Sequence, residues 1–168
     1  MSRFVSDCSR CCGLCCIVPA YLKEQGFPTS KPAEKPCRYL QHGDCSIHAQ
    51  RVELGFGACC GFDCHGAGQW ITQELFGGAS WSDSPDTAHA MSRAWRYWLP
   101  RFEAAALLDA ARPLTRPQQR KVLAARIAQL LDVQRDTGAA LTDQLALRRE
   151  TLALIRRLMA GGKPDGHR

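Results

Sequence analysis

Ten cysteines lie between Cys8 and Cys64, and none follows. Five of them, Cys8, Cys11, Cys12, Cys15 and Cys16, crowd an opening knot that reads D-C-S-R-C-C-G-L-C-C. Cys37 and Cys45 stand apart, and Cys59, Cys60 and Cys64 close the set. Thiolates are soft, charged ligands, and C-x-x-C spacing lets one turn of backbone aim two sulfurs at a single ion, as structural zinc and iron–sulfur sites do. Side chains of neighbouring residues diverge, so Cys15 and Cys16 are expected to serve two metals, or one multi-iron cluster and something else. Eight thiolates make two four-cysteine sites and leave two cysteines spare. His42, His48 and His65 lie close to cysteines and have a ring nitrogen to offer, but eight thiolates already suffice without them.

The N-terminus, M-S-R-F-V-S-D-C, has no apolar core of a secretory signal, and no stretch of about eighteen apolar residues is available to span a membrane. A reducing, cytoplasmic compartment is therefore expected, where cysteine-dense segments bind metal or do redox work rather than form structural disulfides.

The residues Cys8, Cys11, Gly13, Cys15 and Cys16, then Pro36-Cys37, Leu40, Cys45, Ile47-His48, Arg51, Cys59 and Cys64, form a pattern that resembles the cysteine-cluster (CxxCxxCC-type) family of zinc- or iron-chelating proteins. The string from Gly55 to Gln69, G-F-G-A-C-C-G-F-D-C-H-G-A-G-Q, followed by Leu75-Phe76-Gly77-Gly78, is similar to the leader segment of some bacterial pentapeptide-repeat proteins. The resemblance covers roughly residues 8–81. It departs at Cys12 and Cys60, which stand where the family has other residues, and no run of pentapeptides follows. Flagellin lysine methylases carry a related iron–sulfur-binding cluster, but their remaining machinery is not recognisable here. The resemblance thus implies a metal site and no reaction. Spacing and resemblance together give the expected shell as Cys8, Cys11, Cys15, Cys16, Cys37, Cys45, Cys59 and Cys64, with Cys12 and Cys60 dispensable. Zinc suits four-thiolate sites and needs no redox partner; an iron–sulfur cluster suits adjacent cysteines and a sensing role.

The elements that must position these thiols are short. Residues 17–36 hold four prolines and read as a loop, with a short extended piece at Ile17-Val18. Lys31 and Lys35 place positive charge beside the thiolates. Leu40 to His48 reads as a knuckle turning at Gly43-Asp44, and residues 49–56 as one or two helical turns ended by Gly55 or Gly57. Gly66-Ala67-Gly68 is a glycine turn through which the chain leaves the knot. Gln69 to Phe76 reads as a short helix stopped by Gly77-Gly78, its Trp70, Ile71, Leu75 and Phe76 capping the module with apolar surface.

Beyond residue 84 the pattern turns helical. Ser84-Pro85-Asp86 combines an N-cap, a first-turn proline and an acidic residue at the positive end of the helix dipole. Ala88, Met91, Trp95 and Trp98 follow on one face, read as core rather than cofactor contacts. Pro100 ends or kinks this helix, and 102–111 continues the helical pattern. Thr115 and Gln118 form a capping box. Leu123, Ile127, Leu130, Leu131 and Gln134 then mark a stripe that stops at Gly138. A last helix, about 140–160, carries Leu141, Leu145, Leu152, Ile155 and Met159 on one face, with Arg148, Arg149, Arg156 and Arg157 mostly opposite. Two such helices joined at Thr137-Gly138 make an antiparallel hairpin. The fold is expected to be mainly α: a loop-dominated cysteine-rich metal module (1–80), a helical bundle (84–160) and a frayed tail (161–168).

Net charge is +6, and all of it lies after residue 80. The hairpin is read as a solvated arginine-rich face available to a protein partner. No aromatic residues are interleaved with its arginines, so no specific nucleic-acid binding is expected. No nucleophile–base–orienter set, H-E-x-x-H or phosphate-loop sequence occurs. The leading expectation is a metal-binding protein with a structural, regulatory or carrier role. A metal- or iron–sulfur-dependent modification enzyme, a copper-buffering chaperone and a partner-binding adaptor compete with it.

Overall fold

A computed structural model describes residues 4–133 and 143–160, and over them the protein is mainly helical. It divides into two compact units, residues 1–99 and 100–168. The sequence places the change of character at 80–84; the dividing line instead falls at Pro100, inside a long helix. The helix's first half therefore belongs with the cysteine-rich part.

The first unit is built from short turns. Leu14–Ile17 forms α1, so the extended piece expected at Ile17-Val18 is helical, and the Val18 amide donates to the Leu14 carbonyl. Strands β1 (Leu40–Gln41) and β2 (Asp44–Cys45) pair antiparallel around His42-Gly43, both at positive φ. A two-residue hairpin needs that sign at both central positions, which moves the turn one residue ahead of the expected Gly43-Asp44. Helical turns over 48–50 and Gly57–Cys60 (α2) follow, with Gly55 left-handed between them.

Ala67–Trp70 (α3) runs directly into a wider π turn over Ile71–Leu75, closed by the left-handed Gly77 and Gly78. The wider turn brings both Ile71 and Thr72 inside, and the Thr72 hydroxyl donates to the Gly68 carbonyl while accepting the Cys12 amide.

Helix α4 (Pro85–Ala111) begins as the sequence predicts: the Ser84 hydroxyl accepts the Thr87 amide at 3.0 Å. Met91, Trp95 and Trp98 are buried, as expected of a core face. Trp98 packs against Trp70 with ring centroids 4.7 Å apart, and Trp95 against Phe62 at 6.1 Å. A second aromatic group, Tyr21, Phe27, Tyr39 and Phe56, pins the proline-rich loop to the hairpin. Helix α4 continues through Pro100, which lacks the N–H that would reach the Arg96 carbonyl.

In the second unit, α5 (Pro117–Leu130) and α6 (Gln144–Ala160) run antiparallel. Gln119 Nε2 donates to the Leu158 carbonyl, and Arg126 pairs with Glu150. Pro117 occupies the first helical position of α5, so its N-cap is Arg116, one residue after the expected Thr115. The box partner is Gln119, whose Oε1 accepts the Arg116 amide at 2.8 Å. Thr115 is buried and donates to the Arg112 carbonyl.

The inward face of α6 also differs in part from expectation. Leu147 and Thr151 are buried; the expected Leu152 and Ile155 are half-buried, as are Leu154 and Leu158, while Leu145 is 70% and Met159 48% exposed. Gln134, Thr137, Gly138, Leu141 and the 161–168 tail lie outside the described residues.

Candidate metal centre

The opening knot is a tight turn with its sulfurs held by backbone. Asp7 caps a turn over 8–10 by accepting the Ser9 amide, and the Cys11 amide returns to the Cys8 carbonyl at 3.1 Å. The Gly13 amide donates to Cys11 Sγ at 3.3 Å. Gly13 itself stands at φ +82, and a Cβ there would meet Leu40 Cδ1 at 2.5 Å, so the knot folds directly under the hairpin. On the hairpin side, the Cys37 amide donates to the Cys16 carbonyl at 2.9 Å, the Leu40 amide to the Cys37 carbonyl, and Leu40 pairs with Cys45.

Two later segments complete the convergence. Arg51 donates through Nε to the His48 carbonyl and through Nη1 to the Cys59 carbonyl, which ties α2 to the turn over 48–50. Cys64 lies 3.1 Å from the Ser6 hydroxyl. Gly68, on α3, is the closest wall of the site: a Cβ there would stand 2.8 Å from Cys11 Sγ and 3.7 Å from Cys64 Sγ. Two sulfurs from opposite ends of the cysteine-rich segment thus face one side of a single glycine. The G-A-G signal was visible in the sequence, but only the fold shows that its second glycine makes room for thiols.

Cys15 and Cys16 depart from expectation. Their sulfurs do not diverge but come within 4.0 Å. The hydrogen bond between them lowers the Cys16 thiol to about 7 against the opposing effect of burial, with help from Tyr21, Lys31 and Arg51. The same hydrogen bond, with burial added, raises Cys15. Burial raises Cys11 and Cys59 to about 11, and it also raises Cys8 and Cys45. Neighbouring cysteines add to the rise in each. A crowded set of thiols resists ionisation together, and a bound cation relieves that mutual repulsion.

All ten cysteines are free. Cys12 is buried in the core, its sulfur 3.9 Å from Met91 Sδ. Cys60 is exposed on α2. Among the described residues no three His, Cys, Asp or Glu side chains are already drawn together as an ion's shell. His42 and His48 are exposed, and His65 is turned toward Asp63.

Lys31 has a role that sequence reading caught only as charge. Its Nζ lies within hydrogen-bonding distance of four backbone carbonyls, those of Ile17 (3.0 Å), Pro19 (2.7 Å), Pro32 (3.0 Å) and Lys35 (2.6 Å), which share its three N–H donors, and it sits 4.7 Å from the Tyr21 ring centroid. The ammonium ties the proline-rich loop into a cage and sets positive charge beside Cys16 and Cys37.

A Bacillus subtilis protein described as uncharacterized protein YybG is 42% identical to this chain over 87 residues. That match takes in 51% of this chain and 31% of the relative, so the chain spans about a third of the relative's length. No family model matches, and no solved structure matches. No described helix is long and apolar enough to cross a membrane.

Proposed function

We propose that this chain is a metal-binding protein in which the thiolates of Cys8, Cys11, Cys15, Cys16, Cys37, Cys45, Cys59 and Cys64 hold zinc or an iron–sulfur cluster. Its role on this reading is structural, regulatory or as a carrier, in a reducing compartment such as the cytoplasm. The observation that carries the reading is the meeting of four cysteine-bearing segments, 8–16, 37, 45 and 59–64, in one unit with every thiol free. Donor chemistry fits: sulfurs of this number and softness suit a tetrahedral zinc or a cluster, and amide-to-sulfur bonds such as Gly13 to Cys11 stabilise bound thiolate. The resemblance to the zinc- or iron-chelating cysteine-cluster family points the same way.

Purification without oxygen tests it. Zinc in a colourless protein, or iron and acid-labile sulfide in a brown one, is the expected result. A metal-free protein of unchanged fold overturns it.

A second reading is favoured by one surface. Arg148, Arg149, Arg156 and Arg157 are all exposed on α6, and such a band suits an acidic protein partner. The adaptor role is compatible with a metal-stabilised first unit.

A further inference from the structure

We propose that the eight thiols form two separate four-sulfur sites for a tetrahedral divalent ion such as zinc. One site comprises Cys8, Cys11, Cys15 and Cys64, and the other Cys16, Cys37, Cys45 and Cys59, with the Cys15–Cys16 peptide as their common wall. The proposal rests on the metal-binding reading above and adds to it the number of ions and the ligands of each.

Connectivity separates the two sets. Cys8 and Cys11 are joined through one turn, and Cys11 and Cys64 face the same side of Gly68. Ser6 reaches Cys64 and Asp63, so the segment just before the knot is tied to the last ligand of the first set. In the second set, Cys16 is tied to Cys37 by a backbone hydrogen bond, and Cys37 and Cys45 flank the β1–β2 hairpin. Arg51 fastens the Cys59 turn to the turn over 48–50 that follows Cys45.

The adjacent pair is the point at which another partition could enter. A metal–sulfur bond of about 2.3 Å gives about 3.8 Å along a tetrahedron's edge, close to the 4.0 Å between the Cys15 and Cys16 sulfurs. Distance alone would allow both to grip one ion. The backbone decides the assignment: the Cys16 carbonyl accepts the Cys37 amide at 2.9 Å, which places Cys16 with the hairpin, and Lys31 and Arg51 lie on that side through the Ile17 and Cys59 carbonyls. The two cations beside the second site also offset the excess negative charge of four thiolates on a divalent ion.

Cobalt(II) added to the reduced, full-length chain is the probe, because its sulfur-to-metal charge-transfer and d–d bands report tetrahedral thiolate ligation directly. The wild type should bind two equivalents. Cys37→Ser with Cys59→Ser should retain one tightly held equivalent, and so should Cys11→Ser with Cys64→Ser. Cys37→Ser with Cys64→Ser should retain none. Cys16→Ser should behave with the Cys37 set.

Cys37→His keeps a ligand in place and thereby guards against simple misfolding. It should shift the bands of one cobalt and leave the other's unchanged. Same-set and cross-set doubles that lose cobalt alike, or a Cys37→His spectrum shifted as a whole, overturn the partition while leaving the metal-binding reading intact. A wild type that takes up no cobalt overturns both.

Discussion

Gly68 and Lys31 act on the site without being candidate ligands, and each sets a sharp requirement. A methyl group at Gly68 would press on Cys11 Sγ from 2.8 Å, with Trp95 at an ordinary contact distance of 3.6 Å. Gly68→Ala should therefore cost about 1–3 kcal/mol by overpacking and weaken metal retention at least tenfold. Competition with a chromophoric chelator measures the second effect. Gly57→Ala, which meets nothing within 4 Å, should leave both unchanged or slightly improved. Lys31→Met removes a cation from four carbonyls and leaves them short of partners. The expected loss is about 2–4 kcal/mol in denaturant melts of the metal-loaded protein. Lys31→Arg should not restore it, because a planar guanidinium cannot point donors into a compact cage as an ammonium does. Sequence alone could mark these residues only as a glycine turn and a charge near thiolates, since their roles arise from contacts with residues far along the chain. The cysteine spacing, by contrast, is local chemistry and is plain on reading.

At the scale of elements, helix starts were more legible than helix faces. Ser84, Pro85 and Asp86 place the beginning of α4 correctly because a cap is a local device. The α5 start shifts by one residue because Pro117 takes the first helical position and makes Arg116 the cap. On α6 the expected Leu152 and Ile155 are half-buried but Leu145 and Met159 are exposed, because leucines occur on several sides of the helix. Only packing selects Leu147 and Thr151, leaving Leu145 in solvent. Gln119 has two jobs, accepting the Arg116 amide and donating to the Leu158 carbonyl. Gln119→Ala should thus lower the stability of the second unit by about 1–2 kcal/mol, read from thermal unfolding by circular dichroism. Gln118→Ala, at the position sequence reasoning favoured, should change little. The exact register of the hairpin turn at 42–43 and the π widening at 71–75 have no clear sequence signal, because both depend on what the flanking residues pack against.

For the whole molecule, the two units should respond differently to loss of metal. The cysteine-rich loops have few aliphatic residues to offset their ordering entropy, whereas zinc in small domains contributes roughly 10–16 kcal/mol to folding. Chelation should make residues 8–64 sensitive to protease and exchange their amides freely. The helical signal of α5 and α6 should persist, and full amide protection of 8–64 after complete metal removal would contradict this. The arginine band of α6 has Glu150 within it and no stacking aromatic. Nucleic acid should accordingly bind only at the non-specific level of about 10⁻⁴–10⁻⁶ M at physiological salt. Tight, sequence-dependent binding abolished by charge reversal at Arg148 and Arg156 would instead make the adaptor reading the first choice.

The facing of Cys11 and Cys64 across Gly68 also has a consequence in time. The two residues lie roughly fifty positions apart, and a ribosome adding about 5–20 residues each second takes about 3–10 s to cover that distance. Through that interval the opening knot exists with its distant partner still unmade. The nascent chain must keep five closely spaced thiols reduced and unpaired while it waits. Oxidants or stray soft metal ions encountered then would meet a half-built site, so the yield of correctly folded protein should depend on how quickly synthesis passes residue 64.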